Sequence, residues 1–295
     1  MRANAMTELS QTESEKLRRL RDIVGDMPDA VVAFSGGVDS TLVLRIAMDE
    51  LGPERVVAVT VRTPFVPDSE IREARSLAQN LGASHHEIEI DVLQRPKLAH
   101  NPPQRCYWCK RTILTRLRQL AEQEGFRVVA DGTNQDEAEH ERRPGLKALE
   151  ELEVRSPLRE AGLRKNEIRG VSRHLGLPTH DQPSGSCLAT RFPYGTNLTT
   201  EKLERVERGE EVLRKLGFET FRVRCHDALA RIELARAEME ALCRDRQLRA
   251  TVVERLRSVG FVYVTLDLQG YRSGSMDEPL GVKKGGNTTS NSQSH

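Results

Sequence analysis

The sequence of 295 residues lacks long apolar runs, has almost no net charge and is poor in aromatic residues. No stretch approaches the roughly 20 apolar residues that a membrane-spanning helix needs. The first eleven residues are polar and do not resemble a signal peptide. Lys and Arg number 45 and Asp and Glu 44, whereas proteins that bind mainly nucleic acid usually carry a basic excess. We therefore expect a cytoplasmic protein with neither a membrane nor a nucleic acid as its partner.

The first half of the chain alternates between short apolar runs and stretches with helical spacing of apolar residues. Buried parallel strands read as continuous apolar runs, and strands that alternate with helices indicate a doubly wound parallel sheet. We therefore predict an α/β domain of this kind. Its predicted strands are 30–34, 56–61, 86–90 and 126–130, and its predicted helices are 12–24, 41–51, 68–81 and 107–124.

The pattern changes after about Leu177, which divides the predicted domains. Residues 1–177 form the predicted nucleotide-binding domain, and the Pro- and Gly-containing stretch 178–197 is predicted to be a linker. We predict a smaller α+β domain over 198–282, with strands at 221–224, 230–234 and 261–268 and helices at 200–216 and 236–259. The Gly-, Asn-, Ser- and Thr-rich residues 283–295 are predicted to be disordered.

A glycine-containing loop joins the first predicted strand to the next helix. It reads S-G-G-V-D-S, without the Gly-Lys-Ser/Thr of a Walker A loop. Paired glycines let backbone N–H groups approach an anion, and the helix N-terminus favours negative charge. A capped turn alone would explain only one glycine and one serine, so we predict a phosphate site formed by Ser35, Gly36, Gly37, Asp39 and Ser40.

A second polar turn, D-G-T-N-Q-D, follows the fourth predicted strand. On its own it would be an ordinary turn, but in a parallel sheet it reaches the same edge as the first loop. We predict that Gly132, Thr133 and Asn134 bind phosphate. Asp39 and Asp136 are the candidate ligands of Mg²⁺, a cation that prefers oxygen donors beside substrate phosphates.

The five cysteines are too few for a disulfide scaffold in a chain of this length. Cys106 and Cys109 form a C-x-x-C pair at the start of a predicted helix, where basic neighbours and the helix N-terminus are expected to lower the thiol pKa. Such a pair suits a redox centre, half of a zinc site or iron–sulfur ligation. Cys187 lies in the predicted linker and is expected to be accessible, while Cys225 and Cys243 are expected to be small buried residues.

The phosphate loop and the second turn together resemble the PP-loop ATP pyrophosphatases, a HUP-like α/β group. This resemblance implies cleavage of ATP to AMP and pyrophosphate with adenylation of an acceptor oxygen. Over residues 12–275 the chain further resembles the LarE family of sulfur transferases. That resemblance is carried by N-P-P-x-R-C-Y-x-C-K, D-G-T-N-x-D, C-L-A-T-R-F-P-Y-G and F-R-V-R.

The LarE resemblance implies a complete reaction. ATP and Mg²⁺ would adenylate the carboxylates of pyridinium-3,5-biscarboxylic acid mononucleotide, and sulfur would convert them to thiocarboxylates during synthesis of a nickel-pincer nucleotide cofactor. Cys187 matches a cysteine that gives up its sulfur and becomes dehydroalanine. In members that resemble this chain in having three cysteines, Cys106, Cys109 and Cys187 would instead hold a [4Fe–4S] cluster. We favour the cluster, because sacrifice gives the C-x-x-C pair no role.

Four basic residues are further candidates for binding phosphate or the substrate. Lys110 is predicted to stabilise phosphate charge. Arg222 and Arg224 alternate on a predicted strand, where two guanidinium groups on one face suit a phosphate, although the spacing alone fits a solvated strand face equally well. The LarE resemblance implies that these two arginines and Arg191 bind the substrate mononucleotide. We expect a homo-oligomer. The alternatives are a tRNA-thiolating enzyme, disfavoured by the near-neutral charge, and an ammonia-dependent synthetase of the NAD or GMP synthetase type, which would leave the cysteines without a role.

Overall fold

The computed structural model describes residues 8–139, 144–183, 185–272, 274–275 and 278. The chain divides into two compact units. The first runs up to Ala189 and includes Gly195–Leu203, and the second comprises Thr190–Tyr194 and the chain from Glu204 onward. The predicted linker therefore contributes to both units, and the predicted domain limits stay a prediction. The predicted tail at 283–295 lies outside the described residues.

The first unit contains a four-stranded parallel sheet in the order β3-β2-β1-β4. The predicted doubly wound α/β fold is thus confirmed. Its strands are β1 Ala30–Ala33, β2 Val56–Arg62, β3 Ser84–Glu89 and β4 Val129–Ala130. Its helices are α1 Gln11–Gly25, α2 Val38–Leu51, α3 Asp68–Asn80, α4 Pro96–Ala99, α5 Arg105–Glu124, α6 Gln135–Ala138, α7 Pro144–Glu151, α8 Pro157–Glu160 and α9 Lys165–His174.

Both faces of this sheet are covered by apolar side chains. Alternate residues of a strand point to opposite faces, and in β1 Ala30 and Val32 join one core cluster while Val31 joins the other. Residues of α1, α2, α3 and α9 pack on the first face, and residues of α5 and α7 on the second. Burial on both faces explains why these strands read as continuous apolar runs rather than as alternating ones.

The second unit holds a three-stranded mixed sheet in the order β5-β6-β7. Strands β5 (Phe221–His226) and β6 (Leu229–Leu234) are antiparallel, and β7 (Tyr263–Leu266) is parallel to β6. Its helices are α10 Thr200–Lys215, α11 Arg236–Arg244 and α12 Arg246–Ser258. Among the described residues, no helix is long and apolar enough to cross a membrane.

Two parts of the secondary-structure prediction were wrong. The predicted helix 236–259 is two helices, because Asp245 adopts an extended conformation and its side chain caps α12 by accepting from the N–H of Leu248 at 2.9 Å. The fourth strand begins at Val129 rather than at 126. Helices α4, α6, α7, α8 and α9 were not predicted. Three of them, α4, α6 and α8, are four residues long, and their patterns are too short to recognise.

Gly36 shows how closely the phosphate loop packs on the fold. Its φ is +75°, a conformation that favours glycine. A Cβ at this position would lie 2.9 Å from the Cα of Ala74 in α3, whereas a Cβ at Gly82, with φ +72°, would meet no atom within 4 Å. The loop therefore depends on glycine at position 36 for both backbone conformation and space.

We predict that Gly36→Ala lowers the free energy of unfolding by about 1–3 kcal/mol more than Gly82→Ala, because both add strain at positive φ but only the first adds a clash with backbone. Urea denaturation of the two variants measures this difference. Equal losses of stability would show that α3 does not restrain the loop.

Candidate active site

The phosphate loop joins the carboxyl end of β1 to α2 and is held by its own serines. The hydroxyl oxygen of Ser40 accepts from the N–H of Ser35 at 3.2 Å and lies 3.1 Å from the Ser35 hydroxyl oxygen. Gly37 is the N-cap residue of α2 and supplies no side-chain cap. The first-turn N–H groups of α2 therefore face the loop without a capping side chain, as an anion site requires.

The second turn lies directly against the first. A Cβ at Gly132 would be 2.9 Å from the backbone nitrogen of Ser40, so glycine is required for this close approach. The side-chain amide of Asn134 donates to Asp39 Oδ1 at 3.2 Å. The structure thus brings together the two predicted phosphate segments, 35–40 and 132–134, at one edge of the sheet, which we call the phosphate edge.

Asp131 is the hydrogen-bonded centre of this edge and was not predicted as a site residue. Its buried carboxylate accepts from the hydroxyl of Ser156 at 2.7 Å and from both the hydroxyl and the N–H of Thr133, at 2.6 and 3.1 Å. Lys110 Nζ lies 3.0 Å from Asp131 Oδ2 and 2.9 Å from Thr133 Oγ1. The predicted phosphate-binding lysine is therefore held at the phosphate edge by a buried carboxylate.

Lys165 is a second cation at this edge and was not predicted from the sequence. Its ammonium group pairs with Asp39 Oδ2, and its backbone N–H donates to Asp136 Oδ2 at 2.8 Å. The sequence pattern gives little indication of a site at Lys165, because a lysine at the start of an unpredicted helix is usually a solvated surface residue. The ammonium group is nevertheless fixed beside the phosphate loop.

The two predicted Mg²⁺ ligands differ in how well they fit that role. Asp39 lies in the first turn of α2, beside the phosphate loop, where a carboxylate suits a metal ion that also binds phosphate. Asp136 accepts from Arg164 at 2.8 Å and from the N–H of Lys165. Burial alone would raise the pKa of Asp136, but these hydrogen bonds hold it below its usual value. Asp39 also has partners, the ammonium group of Lys165 and the side-chain amide of Asn134. Its place in the first turn of α2 beside the phosphate loop, and not freedom from partners, therefore makes it the better candidate.

The three predicted functional thiols lie in the first unit, where Cys106 and Cys187 are both near enough to Cys109 to affect its pKa. Cys106 is exposed, and Cys109 and Cys187 are half-buried. Burial raises the pKa of Cys109 to about 12, with further contributions from Cys187 and Cys106 and an opposing one from Arg105. The expected lowering of the thiol pKa was wrong for Cys109, because desolvation outweighs the neighbouring positive charge.

The two remaining cysteines differ from each other. Cys225 is buried, as expected, whereas Cys243 is exposed, contrary to expectation. Cys243 lies on α11, a surface helix on which Leu242 is the buried residue. The helical position, rather than the residue type, decides its exposure.

The predicted substrate-binding arginines lie in the second unit. Arg191 is buried and forms two hydrogen bonds of 2.9 Å with the carboxylate of Glu210. Arg224 is also buried and contacts Glu233 at 2.7 Å. Such pairs satisfy charges that would otherwise be costly to bury.

Arg222 differs from the other two arginines because no carboxylate lies within ion-pair distance of it in the described part of the chain. Its guanidinium carbon lies 5.2 Å from the centre of the Tyr271 ring. Burial and then the charge of Arg191 lower the pKa of Arg222 from its usual value, with a smaller effect from Arg224. The three guanidinium groups therefore lie in one arginine cluster, in which Glu210 partly offsets the positive charge.

The parallel sheet, the S-G-G-V-D-S loop and the polar turn packed against it define a PP-loop protein. A family model described as NAD synthase matches residues 16–124. An uncharacterized protein of Synechocystis is 42% identical over 90% of this chain and 98% of its own length. The pyridinium-3,5-bisthiocarboxylic acid mononucleotide synthase of Lactiplantibacillus plantarum is 41% identical over 86% of this chain and 91% of its own length.

A third relative, an uncharacterized protein of Methanocaldococcus jannaschii, is 30% identical over 82% of this chain and 90% of its own length. Each of the three matches spans at least 82% of this chain and at least 90% of the relative's own length. The chain belongs to the LarE family, within the ATP-using PP-loop enzymes.

The raised pKa of Cys109 predicts how its alkylation depends on pH. Since the thiolate is the nucleophile, the rate at Cys109 should rise about tenfold per pH unit from pH 7 to 9, far below its pKa. Iodoacetamide labelling of chelator-treated protein followed by peptide mass spectrometry measures this slope. A rate that levels off below pH 9 would contradict the assignment.

Proposed function

We propose that the chain is an ATP-dependent sulfur transferase that adenylates the carboxylates of pyridinium-3,5-biscarboxylic acid mononucleotide and converts them to thiocarboxylates. One observation carries this proposal: the helix bearing Cys106 and Cys109 also bears Lys110, whose ammonium group bonds Asp131 and Thr133 at the phosphate edge. A nucleotide-activating edge and a thiol-bearing helix therefore meet in one unit, which is the pairing that sulfur transfer to an activated carboxylate requires.

Activation would use the phosphate edge. A carboxylate oxygen is a poor leaving group, and its transfer to the α-phosphate of ATP makes AMP the leaving group. The N–H groups of Gly37 and the first turn of α2 would bind phosphate oxygens, while Lys110 and Lys165 would neutralise their charge. Bound Mg²⁺, with Asp39 as a ligand, would stabilise charge on the departing pyrophosphate.

Sulfur delivery would use the three thiols. If Cys187 attacks the acyl-adenylate, AMP leaves, a thioester forms, and loss of the Cα proton with cleavage of the Cβ–S bond yields dehydroalanine and the thiocarboxylate. A [4Fe–4S] cluster on Cys106, Cys109 and Cys187 would instead supply an iron position for sulfide. Three thiols in one neighbourhood suit that ligand number, although no three His, Cys, Asp or Glu residues in the described ranges are placed to hold a single metal ion.

Substrate binding would fall to the arginine cluster of the second unit. Arg222 has no carboxylate partner among the described residues, so its guanidinium would be available to a phosphate group. Arg191 and Arg224 are held by Glu210 and Glu233, so these two ion pairs would add little net charge around Arg222. An ammonia-dependent synthetase would leave the three thiols without a role.

Asp39→Ala should lower pyrophosphate release by about a hundredfold or more, since it removes a charged group at the reacting phosphates. Asp49→Ala is the matched control on the same helix, because Asp49 pairs with Arg45 instead of facing the loop. A coupled pyrophosphate assay with ATP and the biscarboxylated nucleotide measures both variants. Equal rates in the two would refute the role of Asp39.

Intact-mass spectrometry before and after turnover, with iron analysis of anaerobically purified protein, separates the two sulfur sources. We expect an iron-containing protein of unchanged mass. A mass loss equal to one H₂S, mapped to Cys187, would establish sacrifice instead. Iron-free protein of unchanged mass that forms no thiocarboxylate would refute the proposed function.

A further inference from the structure

The three thiols lie on two separate segments of the chain, and Arg105 contacts both. Its Nη1 atom donates to the side-chain oxygen of Asn101 and, at 3.3 Å, to the carbonyl oxygen of Ala189, two residues after Cys187. Its Nη2 atom lies 3.9 Å from the sulfur of Cys106. One guanidinium therefore links the C-x-x-C helix to the segment that carries the third thiol.

The residues that Arg105 contacts are themselves held in place by the fold. Asn101 is fully buried and has φ +48°, a left-handed conformation that asparagine tolerates better than most residues. Its carbonyl oxygen accepts from the N–H of Gly195 at 3.0 Å. On the other side of Ala189, the N–H of Leu188 donates to the carbonyl oxygen of Phe65 at 2.8 Å. The segment after Cys187 is thus fixed by backbone bonds around the position that Arg105 contacts.

The type of side chain matters at this position. Arg105 is only 3% exposed, and a buried charge is tolerated only when its donors are satisfied. A guanidinium donates in several fixed directions at once, whereas an ammonium group is a point charge on a flexible stem. Lysine would therefore keep the charge but not the simultaneous contacts to Asn101 and Ala189.

We propose that Arg105 is a positioning residue for sulfur transfer, which holds the segment after Cys187 against the helix of Cys106 and Cys109 so that the three thiols act at one point. This inference deepens the proposed function and rests on it for the identity of the reaction. The placement of the thiols themselves can be tested without any substrate.

The first test measures thiol proximity. Chelator-treated protein is reacted with dibromobimane, which joins two neighbouring thiols, and the peptide pair linking Cys187 to the C-x-x-C helix is quantified by mass spectrometry. We expect the yield to fall about fivefold or more in Arg105→Met and in Arg105→Lys. Arg116→Lys, an exposed arginine on the same helix, is the matched control and should keep the wild-type yield.

Thermal melting checks that each variant is folded, and if Arg105→Met does not fold, Arg105→Lys alone carries the comparison. A wild-type cross-linking yield in a folded Arg105 variant would overturn the proposal.

The second test measures coupling during turnover. In Arg105→Lys, kcat for thiocarboxylate formation should fall about tenfold or more, since small misplacement of reacting groups is costly, while KM for ATP stays unchanged and AMP formed per thiocarboxylate rises. An unchanged ratio of AMP to thiocarboxylate would overturn the positioning role. If the wild-type protein forms no thiocarboxylate, the proposed function is refuted. Loss of cross-linking in the Arg105 variants would then still support the role of Arg105 in placing the thiols.

Discussion

The arrangement of the site depends on the hydrogen bonds that the buried carboxylate of Asp131 accepts. It accepts from Ser156, Thr133 and Lys110, and thereby joins the end of β4, the turn after it and the C-x-x-C helix. A buried carboxylate that lost these donors would be strongly destabilised. The Asp131 carboxylate is therefore tightly fixed. It holds in place the ammonium group of Lys110, the residue that follows Cys109 in the chain.

Ion pairs occur in both units, and they have different roles in the two. In the first unit, Lys165 and Asp39 form a pair that is only partly buried, so phosphate can compete for the ammonium group. In the second unit, Arg224 and Glu233 are almost fully buried, and their pairing fixes a strand rather than offering a free group. Burial thus separates ion pairs that can exchange partners with a ligand from those that hold the fold.

The strands and the phosphate loop of the first unit could be predicted from the sequence. The strands are buried on both faces and therefore read as continuous apolar runs, and the loops contain glycines at positions of close backbone packing. The phosphate segments around Ser40 and Gly132 meet as expected for parallel strands. The roles of Asp131, Lys165 and Arg105 could not be predicted, since a single charged residue in sequence shows neither its burial nor its partner. The raised pKa of Cys109 was missed for the same reason: local sequence shows neighbouring charges but not desolvation.

We propose that the phosphate edge activates a substrate carboxylate as an acyl-adenylate before sulfur reaches it. Biscarboxylated nucleotide labelled with oxygen-18 in its carboxylates tests this directly, because adenylation transfers one carboxylate oxygen to AMP. We expect one labelled oxygen in AMP for each thiocarboxylate formed, measured by mass spectrometry. Thiocarboxylate accompanied by unlabelled AMP would contradict it.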